Sequence, residues 1–491
     1  MLTREEIQAI YDRGPEAVIA LVEELLVHIA EQQQMLAALA DRVRALEEQL
    51  AKDSHNSSKP PSSDGLRKRA RSLRRPTGRK PGGQRGHPGS TLQWVETPDR
   101  VVEHSPRHCR RCGTLLERVA ASHYERRQVW ELPPLKLEVV EHRVEVKWCP
   151  GCGEENQGAF PAELTQPVQY GPGVKAWVVY LREYQLLPLE RTRELMEDLL
   201  GTGLSEATVY GAVQECHQKL EETEEAIKAR LQKAPVAHFD ETGMSVDGKR
   251  VWLHVASSEQ LTHYGWHEKR GKAATDEIGI LPKFGGTGVH DGLSFYHQYP
   301  WQHGLCNAHH LRELTFIEEE HQQEWAGKMK ALLVEMKGEV EGAREAGLER
   351  LEEGKQQELE GRYQKLLEEG LKANPSPDPE AGLPLERKKR GRKKQSKAKN
   401  LLDRLSKYRR EVLAFMYDFR VPFDNNLAER DLRMMKVQQK ISGCFRTEEG
   451  ARCFCRIRGY ISTMRKQGKK LLTGLEGVFI GQPFIPVSEA E

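Results

Sequence analysis

Apolar side chains recur every seven residues near the start of the chain, and this spacing predicts one long amphipathic helix. The first apolar position of the repeat is filled by Val22, Ile29, Leu36, Val43 and Leu50. The companion position is filled by Leu25, Leu39 and Leu46, with Gln32 as a polar break. An a/d pattern kept over several heptads is typical of a two-stranded coiled coil. We therefore expect residues 1–52 to form a homodimer or a higher oligomer, with a lone helix packed on the body of the protein as the alternative.

Shorter apolar runs with strand-like patterns lie in the middle of the chain. Three of them follow one another at hairpin spacing, and two more are separated by longer connections. The runs are residues 235–243, 251–256, 262–266, 288–291 and 303–306, and a helix is expected from about His309. Three antiparallel strands followed by parallel strands with helices is the order of a ribonuclease H-like α/β sheet. In that arrangement the first and fourth strands are neighbours.

A pair of helices joined by a glycine turn is predicted ahead of these strands. Helical patterns cover residues 189–200 and 206–213, a turn begins at Gly201, and Ser205 is a helix N-cap. This is the arrangement of a helix-turn-helix, whose second helix can enter the major groove of DNA. A two-helix packing unit without DNA contact fits the pattern equally well. Residues 166–232 are therefore expected to be a helical segment and a candidate DNA-binding unit.

Basic charge is concentrated in two segments of the chain. The 75 Lys and Arg residues nearly balance the 73 Asp and Glu residues, yet residues 67–85 and 387–399 each hold nine basic residues and no acid. An acidic body with concentrated basic segments is typical of proteins that bind a polyanion, most often nucleic acid, and solvated linkers are the alternative. The candidate DNA contacts in these segments are Arg79, Lys80, Arg85, Arg387, Lys388, Lys389 and Arg390.

The first basic segment lies in a stretch rich in Pro, Ser and Gly. This composition cannot support a packed core, so residues 53–105 are expected to form a linker. Residues 78–86 space their basic side chains on a Gly/Pro backbone that can lie along a minor groove. Such a segment would contact phosphates and read little sequence.

The length and the apolar pattern exclude a single-domain protein and a membrane protein. A chain of 491 residues is too long for one core, because domains cluster at roughly 100 to 200 residues. No run approaches the roughly 18 apolar residues of a spanning helix, and the N-terminus lacks the apolar core of a signal peptide. We expect a cytoplasmic protein of several domains, associated with the nucleoid.

Four of the nine cysteines fall into two CxxC pairs. Cys109 and Cys112 form the first pair, Cys149 and Cys152 form the second, and a Gly follows each pair. With the strand expected at residues 137–146 between them, the pairs predict a zinc ribbon over residues 106–165 with four thiolate ligands. A redox CxxC is the alternative, although it needs only one pair. The remaining five cysteines are scattered and form no disulfide framework.

Three acids are candidates for phosphoryl-transfer chemistry. Asp240 and Asp291 lie on the first strand and at the end of the fourth, and Glu429 lies in the first turn of a helix that an Asn can cap. Hard oxygen ligands suit Mg²⁺ or Mn²⁺, and two such ions can drive in-line attack on a phosphodiester. Taken singly, the two Asp residues also fit strand-end turns, and Glu429 fits a capping box begun by Asn426. The competing acids are Glu241, Asp424 and Asp431, of which Glu241 should face away from Asp240.

From residue 54 to about residue 486, the chain resembles the bacterial DDE transposases of the insertion sequence 66 family. The resemblance is carried by the paired CxxC motifs and by residues 54–64, 238–242, 305–313, 424–433 and 439–446. It implies a ribonuclease H-like catalytic domain whose acidic triad, here Asp240, Asp291 and Glu429, cuts and joins the ends of its own mobile element. The expected partners are the terminal repeats of the element and target DNA; some relatives also work with small accessory proteins, and others act alone.

The resemblance also implies auxiliary features around the triad. Similar transposases carry a Cys-x-x-His motif after the second Asp, matched here by Cys306 and His309, with a buried Cys and a helix-start His as the alternative. A helical insertion explains the 137 residues between Asp291 and Glu429. Arg430 and Arg433 follow Glu429 and are candidates for holding the scissile phosphate, with ordinary helix-surface charge as the alternative.

These observations combine into a multidomain α/β transposase that depends on Mg²⁺ or Mn²⁺ and on Zn²⁺. The remaining alternatives are a ribonuclease H-like nuclease that joins no ends and a catalytically silent zinc-containing DNA-binding regulator. The expected domains are a coiled coil (1–52), a basic linker (53–105), a zinc ribbon (106–165), a helical segment (166–232), a catalytic core (233–316 and 400–465), a helical insertion with a basic run (317–399) and a C-terminal tail (466–491).

Overall fold

The computed structural model describes residues 3–57, 92–133, 135–201, 203–376 and 395–486. The candidate DNA contacts Arg79, Lys80, Arg85, Arg387, Lys388, Lys389 and Arg390 lie outside these described residues. In the described part of the chain, every helix is too short or too polar to cross a bilayer. The protein is a multidomain α/β molecule with a long N-terminal helix.

The N-terminal part consists of helix α1 (Arg4–Tyr11) and the long helix α2 (Pro15–Leu50). The two helices are separate because Gly14, with a φ of 102°, turns the chain and Pro15 starts α2 in its first turn. None of the side chains of α2 is buried, and the apolar heptad positions Val22 and Leu36 are 48% and 65% exposed. The predicted long helix is confirmed, and its apolar stripe is not packed on the body of the protein.

The ribbon segment contains two short strands, β1 (Val146–Trp148) and β2 (Glu155–Gln157), which pair antiparallel. The strand expected over residues 137–146 is wrong for all but its last residue. Within the described part of the chain its alternating pattern meets no pairing strand, and Val139 and Val140 are 91% and 64% exposed. Alternation favours a strand only where one face is covered.

The helical segment is built from helices α3 (Pro172–Val179), α4 (Leu189–Leu200), α5 (Glu206–Lys219) and α6 (Glu221–Leu231). A π-helical turn, Tyr180–Tyr184, continues α3. The Ser205 hydroxyl accepts a hydrogen bond from the Thr208 amide at 3.0 Å, so the predicted N-cap of α5 is confirmed. Helix α5 buries Val209, Val213 and Cys216, and this face packs against other helices of the protein.

The middle of the chain forms one five-stranded sheet. Its strands are β3 (Val236–Val246), β4 (Lys249–Ser257), β5 (Thr262–His267), β6 (Thr287–His290) and β7 (Gln302–Leu305), with helix α7 (Lys272–Ile278) between β5 and β6. The order across the sheet is β5-β4-β3-β6-β7. The first three strands pair antiparallel, and β6 pairs parallel with both β3 and β7. All five predicted strands are confirmed. The first and fourth of them, β3 and β6, are neighbours as predicted.

Nine further helices follow the sheet within residues 307–376 and 395–486. They are α8 (Asn307–His321), α9 (Glu324–Glu345), α10 (Glu353–Ala373), α11 (Lys397–Lys407), α12 (Arg409–Val412), α13 (Ala414–Tyr417), α14 (Asn426–Ser442), α15 (Glu448–Lys466) and α16 (Leu471–Phe479) among the described residues. Helices α14 and α15 cover one face of the sheet, where Met244 and Leu253 pack against Met435 and Phe454. The other face packs Phe239 against Phe284 and Trp301.

Two expected domain limits differ from the packing. The expected limit between residues 399 and 400 falls inside α11. Residues on both sides of it, Ala398 and Leu401, are buried with Tyr363 of α10 in one apolar cluster. The segment 466–491, expected as a tail, contains α16, which packs against α3. There the Lys219 ammonium donates to the Phe479 carbonyl at 2.8 Å.

The C-terminal end of α2 is fixed to the body of the protein. Glu48 pairs with Lys397 at the start of α11 and with His321 at the end of α8, the latter at 3.8 Å. In the turn that follows, the His55 imidazole lies 3.4 Å from Glu319, and the Asn56 amide donates to the Ala51 carbonyl at 3.0 Å. The long helix therefore projects from one anchored end.

Candidate active site

Strand topology brings the first two acids together. Asp240 lies in β3 opposite Val255 of β4, and β3 pairs with β6 only through residues 236–238. Beyond that point the β6 side of β3 is open, and Asp291 directly follows β6. The Asp291 carboxylate accepts the Leu293 amide at 3.1 Å, which fixes the turn after β6. Asp291 therefore lies at the open edge of β3 beside Asp240.

Asn425 fixes the third acid relative to the sheet. Its side-chain amide donates to the Phe239 carbonyl at 2.9 Å, its carbonyl oxygen lies 2.8 Å from His238 Nδ1, and its backbone amide donates to Cys306 Sγ at 3.2 Å. Asn425 is buried and directly precedes α14, which carries Glu429 in its first turn. These hydrogen bonds hold the start of α14 against β3 and against the residue that follows β7.

The predicted capping of α14 differs in detail. Asn425 occupies the N-cap position, but its side chain makes no cap hydrogen bond because it bonds to β3. The Asp424 carboxylate accepts the Asn426 amide at 3.1 Å instead. Asn426 is exposed, and the capping box that would have explained Glu429 is not formed. Glu429 is thus free of the structural role that its sequence position suggested.

The electrostatic environment of Asp240 is unfavourable for its negative charge. Burial raises the pKa of the Asp240 carboxyl well above its usual range, and the charges of Glu241, Asp291 and Glu429 add to this effect. Converging carboxylates repel one another unless a cation lies between them. The Glu429 Oε1 and His309 Nδ1 atoms are buried without a hydrogen-bond partner in the described residues. The donor set of Asp240, Asp291 and Glu429 therefore fits hard divalent cations such as Mg²⁺ or Mn²⁺.

Two of the competing acids are occupied by other partners. Glu241 accepts hydrogen bonds from Arg270 Nε at 2.8 Å and from the Tyr296 hydroxyl at 2.7 Å. Asp431 accepts from the Lys466 ammonium at 2.8 Å and from the Thr262 hydroxyl at 3.2 Å. Asp424, the third competitor, caps α14 as described above. Each of the three has a structural role of its own.

The auxiliary pair lies beside Glu429. One ligand atom from each of Cys306, His309 and Glu429 lies within 4.8 Å of the others, and His309 Nδ1 is 4.0 Å from Glu429 Oε1. Burial raises the pKa of the Cys306 thiol to about 12, so the sulfur is a neutral acceptor for the Asn425 amide. Burial also lowers the pKa of His309, and the nearby Glu429 opposes that shift. These contacts place the pair beside Glu429.

Arg312 is a neighbour of the site that sequence reasoning missed. Its Nη2 atom lies 4.0 Å from Glu429 Oε2, and it stands one helical turn after His309 on α8. That spacing from His309 was its only signal in the sequence. Arg430 and Arg433, which the sequence suggested, are exposed on α14. The contacts of the described residues thus place Arg312, rather than those two, next to Glu429.

The two CxxC pairs form matching knuckles. The Gly113 amide donates to the Cys109 carbonyl at 2.9 Å and the Gly153 amide to the Cys149 carbonyl at 2.8 Å, and both glycines have a positive φ. Hydrogen bonds from Thr114 and Cys109 lower the pKa of the Cys112 thiol to about 7. Within each knuckle the two sulfurs are neighbours, but the described residues do not bring all four thiols within 4.8 Å of one another. The paired knuckles and a readily ionised thiol fit zinc.

Comparison with known families identifies the class of protein. An acid cluster at the open edge of a mixed sheet, preceded by two CxxC knuckles, fits a DDE-type transposase. Residues 167–453 match the transposase IS66 family, so the chain belongs to that family. Residues 106–153, which hold all four knuckle cysteines, match the zinc-finger binding domain of transposase IS66. Residues 9–93 match a family of unknown function (DUF6444), and no curated protein matches the chain.

Proposed function

We propose that the protein binds the terminal repeats of its insertion sequence and performs metal-dependent cleavage and strand transfer with Asp240, Asp291 and Glu429. The observation that carries this proposal is the convergence of the three acids, since Asp240 is influenced by both Asp291 and Glu429 across long stretches of sequence. We further assign the sheet and its helices to the ribonuclease H-like fold. The strand order β5-β4-β3-β6-β7, with its antiparallel and parallel pairs, supports that assignment.

In this proposal the three carboxylates hold divalent cations at the open edge of β3. Such ions, when bound, activate an attacking water or 3′-hydroxyl and stabilise the leaving oxygen of the phosphodiester. Asn425 keeps Glu429 at a fixed position relative to Asp240. His309 and Arg312 each lie 4.0 Å from one of the two oxygens of Glu429. No side-chain nucleophile is required.

Other parts of the chain would bind zinc and DNA. Cys109, Cys112, Cys149 and Cys152 would hold one structural Zn²⁺, which joins the two knuckles. Arg79, Lys80, Arg85 and residues 387–390 would neutralise phosphates of the element ends or of target DNA. The α4–α5 pair remains our candidate for a helix-turn-helix, although the exposed start of α5 carries the acid Glu206. The apolar stripe of α2 would form the homodimer.

Strand transfer in vitro tests the function directly. The substrate is labelled DNA with the terminal repeats that flank the gene, incubated with the full chain in the presence or absence of added Mg²⁺. Omission of Mg²⁺ is preferable to a chelator, because a chelator would also strip zinc. Asp291→Asn should abolish joining, whereas Asp424→Asn removes an acid outside the triad and should retain it.

The outcomes separate the three candidate activities. Joined products that require Mg²⁺ and Asp291 establish the proposal. Cleavage without joining identifies a nuclease on the same fold, and sequence-specific binding without cleavage identifies a silent regulator. The same binding assay, read by gel shift, tests recognition of the repeats independently of chemistry.

A further inference from the structure

The open edge of β3 continues beyond the acids into a pocket that the proposed chemistry does not use. At its far end, β3 is covered again, because the Phe445 amide donates to the Ser245 carbonyl at 3.1 Å and the Asp247 amide to the Phe445 carbonyl at 2.8 Å. Between this bridge and the end of the β6 pairing, the edge is free of strand partners in the described residues. A pocket of about 570 Å³ opens there, which we call the β3-edge pocket.

The β3-edge pocket is rich in basic groups. Its charged lining consists of Arg250 from β4, Arg270 from the segment after β5, Lys436 from α14 and one acid, Glu241. The Arg250 and Arg270 guanidinium groups both lie 4.7 Å from the ring centre of Trp252, which holds them in place. The acid is already satisfied, since Glu241 accepts hydrogen bonds from Arg270 and Tyr296. The pocket therefore keeps a net positive charge.

Two of these cations have no ion pair within the described residues. Lys436 donates to the Gly243 carbonyl at 2.9 Å, and Arg250 lies over the same glycine, where a Cβ would be 3.1 Å from its Nε atom. Burial lowers the pKa of Lys436, and the charge of Arg250 lowers it further. Like charges held this close repel each other, and a bound anion removes that repulsion. A glycine at position 243 leaves room for the guanidinium beside the strand.

We propose that the β3-edge pocket binds a backbone phosphate of the DNA strand whose scissile bond lies at Asp240, between the side chains of Arg250 and Lys436. Residue 243 is three positions along β3 from Asp240, a distance of about 10 Å, so the two residues face opposite sides of the sheet. Lys436 belongs to α14, which covers the side that Asp240 faces, and it reaches the Gly243 carbonyl at the free edge from that side. Arg250 lies beside Gly243 on the other side, so the pocket straddles the edge of β3. A strand lying along the free edge of β3 would reach the acids and the pocket together. Arg and Lys contacts to phosphates position a strand without reading its sequence. This inference rests on the proposed function, because it assumes that DNA is the substrate of the acids.

Single neutral phosphates in the substrate test the inference. A series of terminal-repeat oligonucleotides, each with one methylphosphonate near the scissile bond, is bound to the full chain without Mg²⁺ and followed by fluorescence anisotropy. We expect one flanking methylphosphonate to weaken binding by the wild-type protein several-fold. In the Arg250→Gln/Lys436→Gln double variant, the same methylphosphonate should not weaken binding further, because the side chains that contact that phosphate are gone.

The salt dependence of binding gives a second readout. Loss of one phosphate contact should reduce the slope of log K against log salt by about 1, and the double variant should lose one to two such units. Lys440→Gln is the matched control, since Lys440 is an exposed lysine of α14 outside the pocket lining. Thermal melting of each variant checks folding, and Arg250→Lys, which keeps the charge, should retain part of the slope.

The outcomes separate failure of the pocket from failure of the function. If the wild-type protein binds and cleaves the DNA but the double variant keeps its slope and its methylphosphonate sensitivity, the pocket proposal is wrong. If the wild-type protein does not bind terminal-repeat DNA at all, the proposed function fails and the pocket proposal fails with it. If the methylphosphonate weakens binding by the wild-type protein but not by the double variant, the result supports the pocket proposal.

Discussion

At the scale of single residues, Asn425 connects more of the site than any of the acids. It bonds to His238 and Phe239 of β3 and to Cys306 after β7, and it starts the helix that carries Glu429. Burial lowers the pKa of His238 to about 4, so its imidazole is neutral and its Nδ1–H can donate to the Asn425 carbonyl. The side-chain and backbone amides of this one residue therefore connect β3, the end of β7 and α14.

Asn425→Ala should reduce DNA cleavage by about 10- to 100-fold, the usual cost of removing a group that orients metal ligands. The reason is that α14 loses its tie to Phe239 and Glu429 shifts relative to Asp240. The informative measurement is the Mg²⁺ concentration that gives half-maximal cleavage, which should rise because the carboxylates no longer converge. A variant that only loses stability would have a lower melting temperature but would need the same Mg²⁺ concentration for half-maximal cleavage.

Asn426→Ala is the control for this prediction. Asn426 is the next residue along the chain, is exposed and lies in the first turn of the same helix. We expect it to leave both the cleavage rate and the Mg²⁺ requirement near wild type. Equal losses in the two variants would show that Asn425 acts only through the general stability of α14.

At the scale of elements, β6 is short but decides where Asp291 lies. Its residues 287–289 pair with residues 236–238 of β3, and the chain just before it runs close to the end of α6. A Cβ on Gly286 would lie 2.3 Å from the Ala234 carbonyl oxygen and 2.6 Å from that of Pro235. Both neighbours are backbone atoms, which cannot rotate away. The entry into β6 therefore needs a glycine at this position.

Gly286→Ala should destabilise the protein by about 1–3 kcal/mol, the usual cost of an added methyl group without space. Gly285→Ala is the matched control, since a Cβ on the adjacent Gly285 would meet nothing within 4 Å. Urea unfolding followed by tryptophan fluorescence measures the difference, and Trp301 lies close to β6 as a reporter. Similar midpoints for the two variants would mean that β6 can shift without cost.

Elements with regular local patterns could be predicted, whereas the contacts between them could not. The bounds of α4 and the start of α5 agree with the sequence because Ser205 and a glycine turn mark them locally. The residues 137–145 carried an equally regular pattern, but no strand pairs with them in the described chain. The three acids were visible as residue types. The roles of Asn425, Arg312 and Lys436 depend on packing across distant segments, which no local pattern records.

At the scale of the whole molecule, α2 stands apart from the packed body. Its 36 residues correspond to a length of about 54 Å, and among the described residues its ion pairs to the body lie at its C-terminal end, through Glu48. A stripe of apolar side chains exposed along such a helix is costly in water unless a second helix covers it. Parallel pairing through α2 would hold two catalytic bodies at the same end of a shared stalk. Each body could then act on one end of the element.

Leu39→Asp should convert the homodimer to a monomer, because it places a charge at the centre of the apolar stripe. Ala38→Asp is the control, since it adds the same charge to the neighbouring exposed position outside the a/d repeat. Light scattering coupled to size exclusion should give twice the chain mass for the wild-type protein and the control, and the chain mass for Leu39→Asp. Concerted joining of two labelled ends should fall in the monomer while cleavage of a single end persists, because each body keeps its own acids. A wild-type monomer, or a Leu39→Asp dimer, would show that the stripe serves another partner.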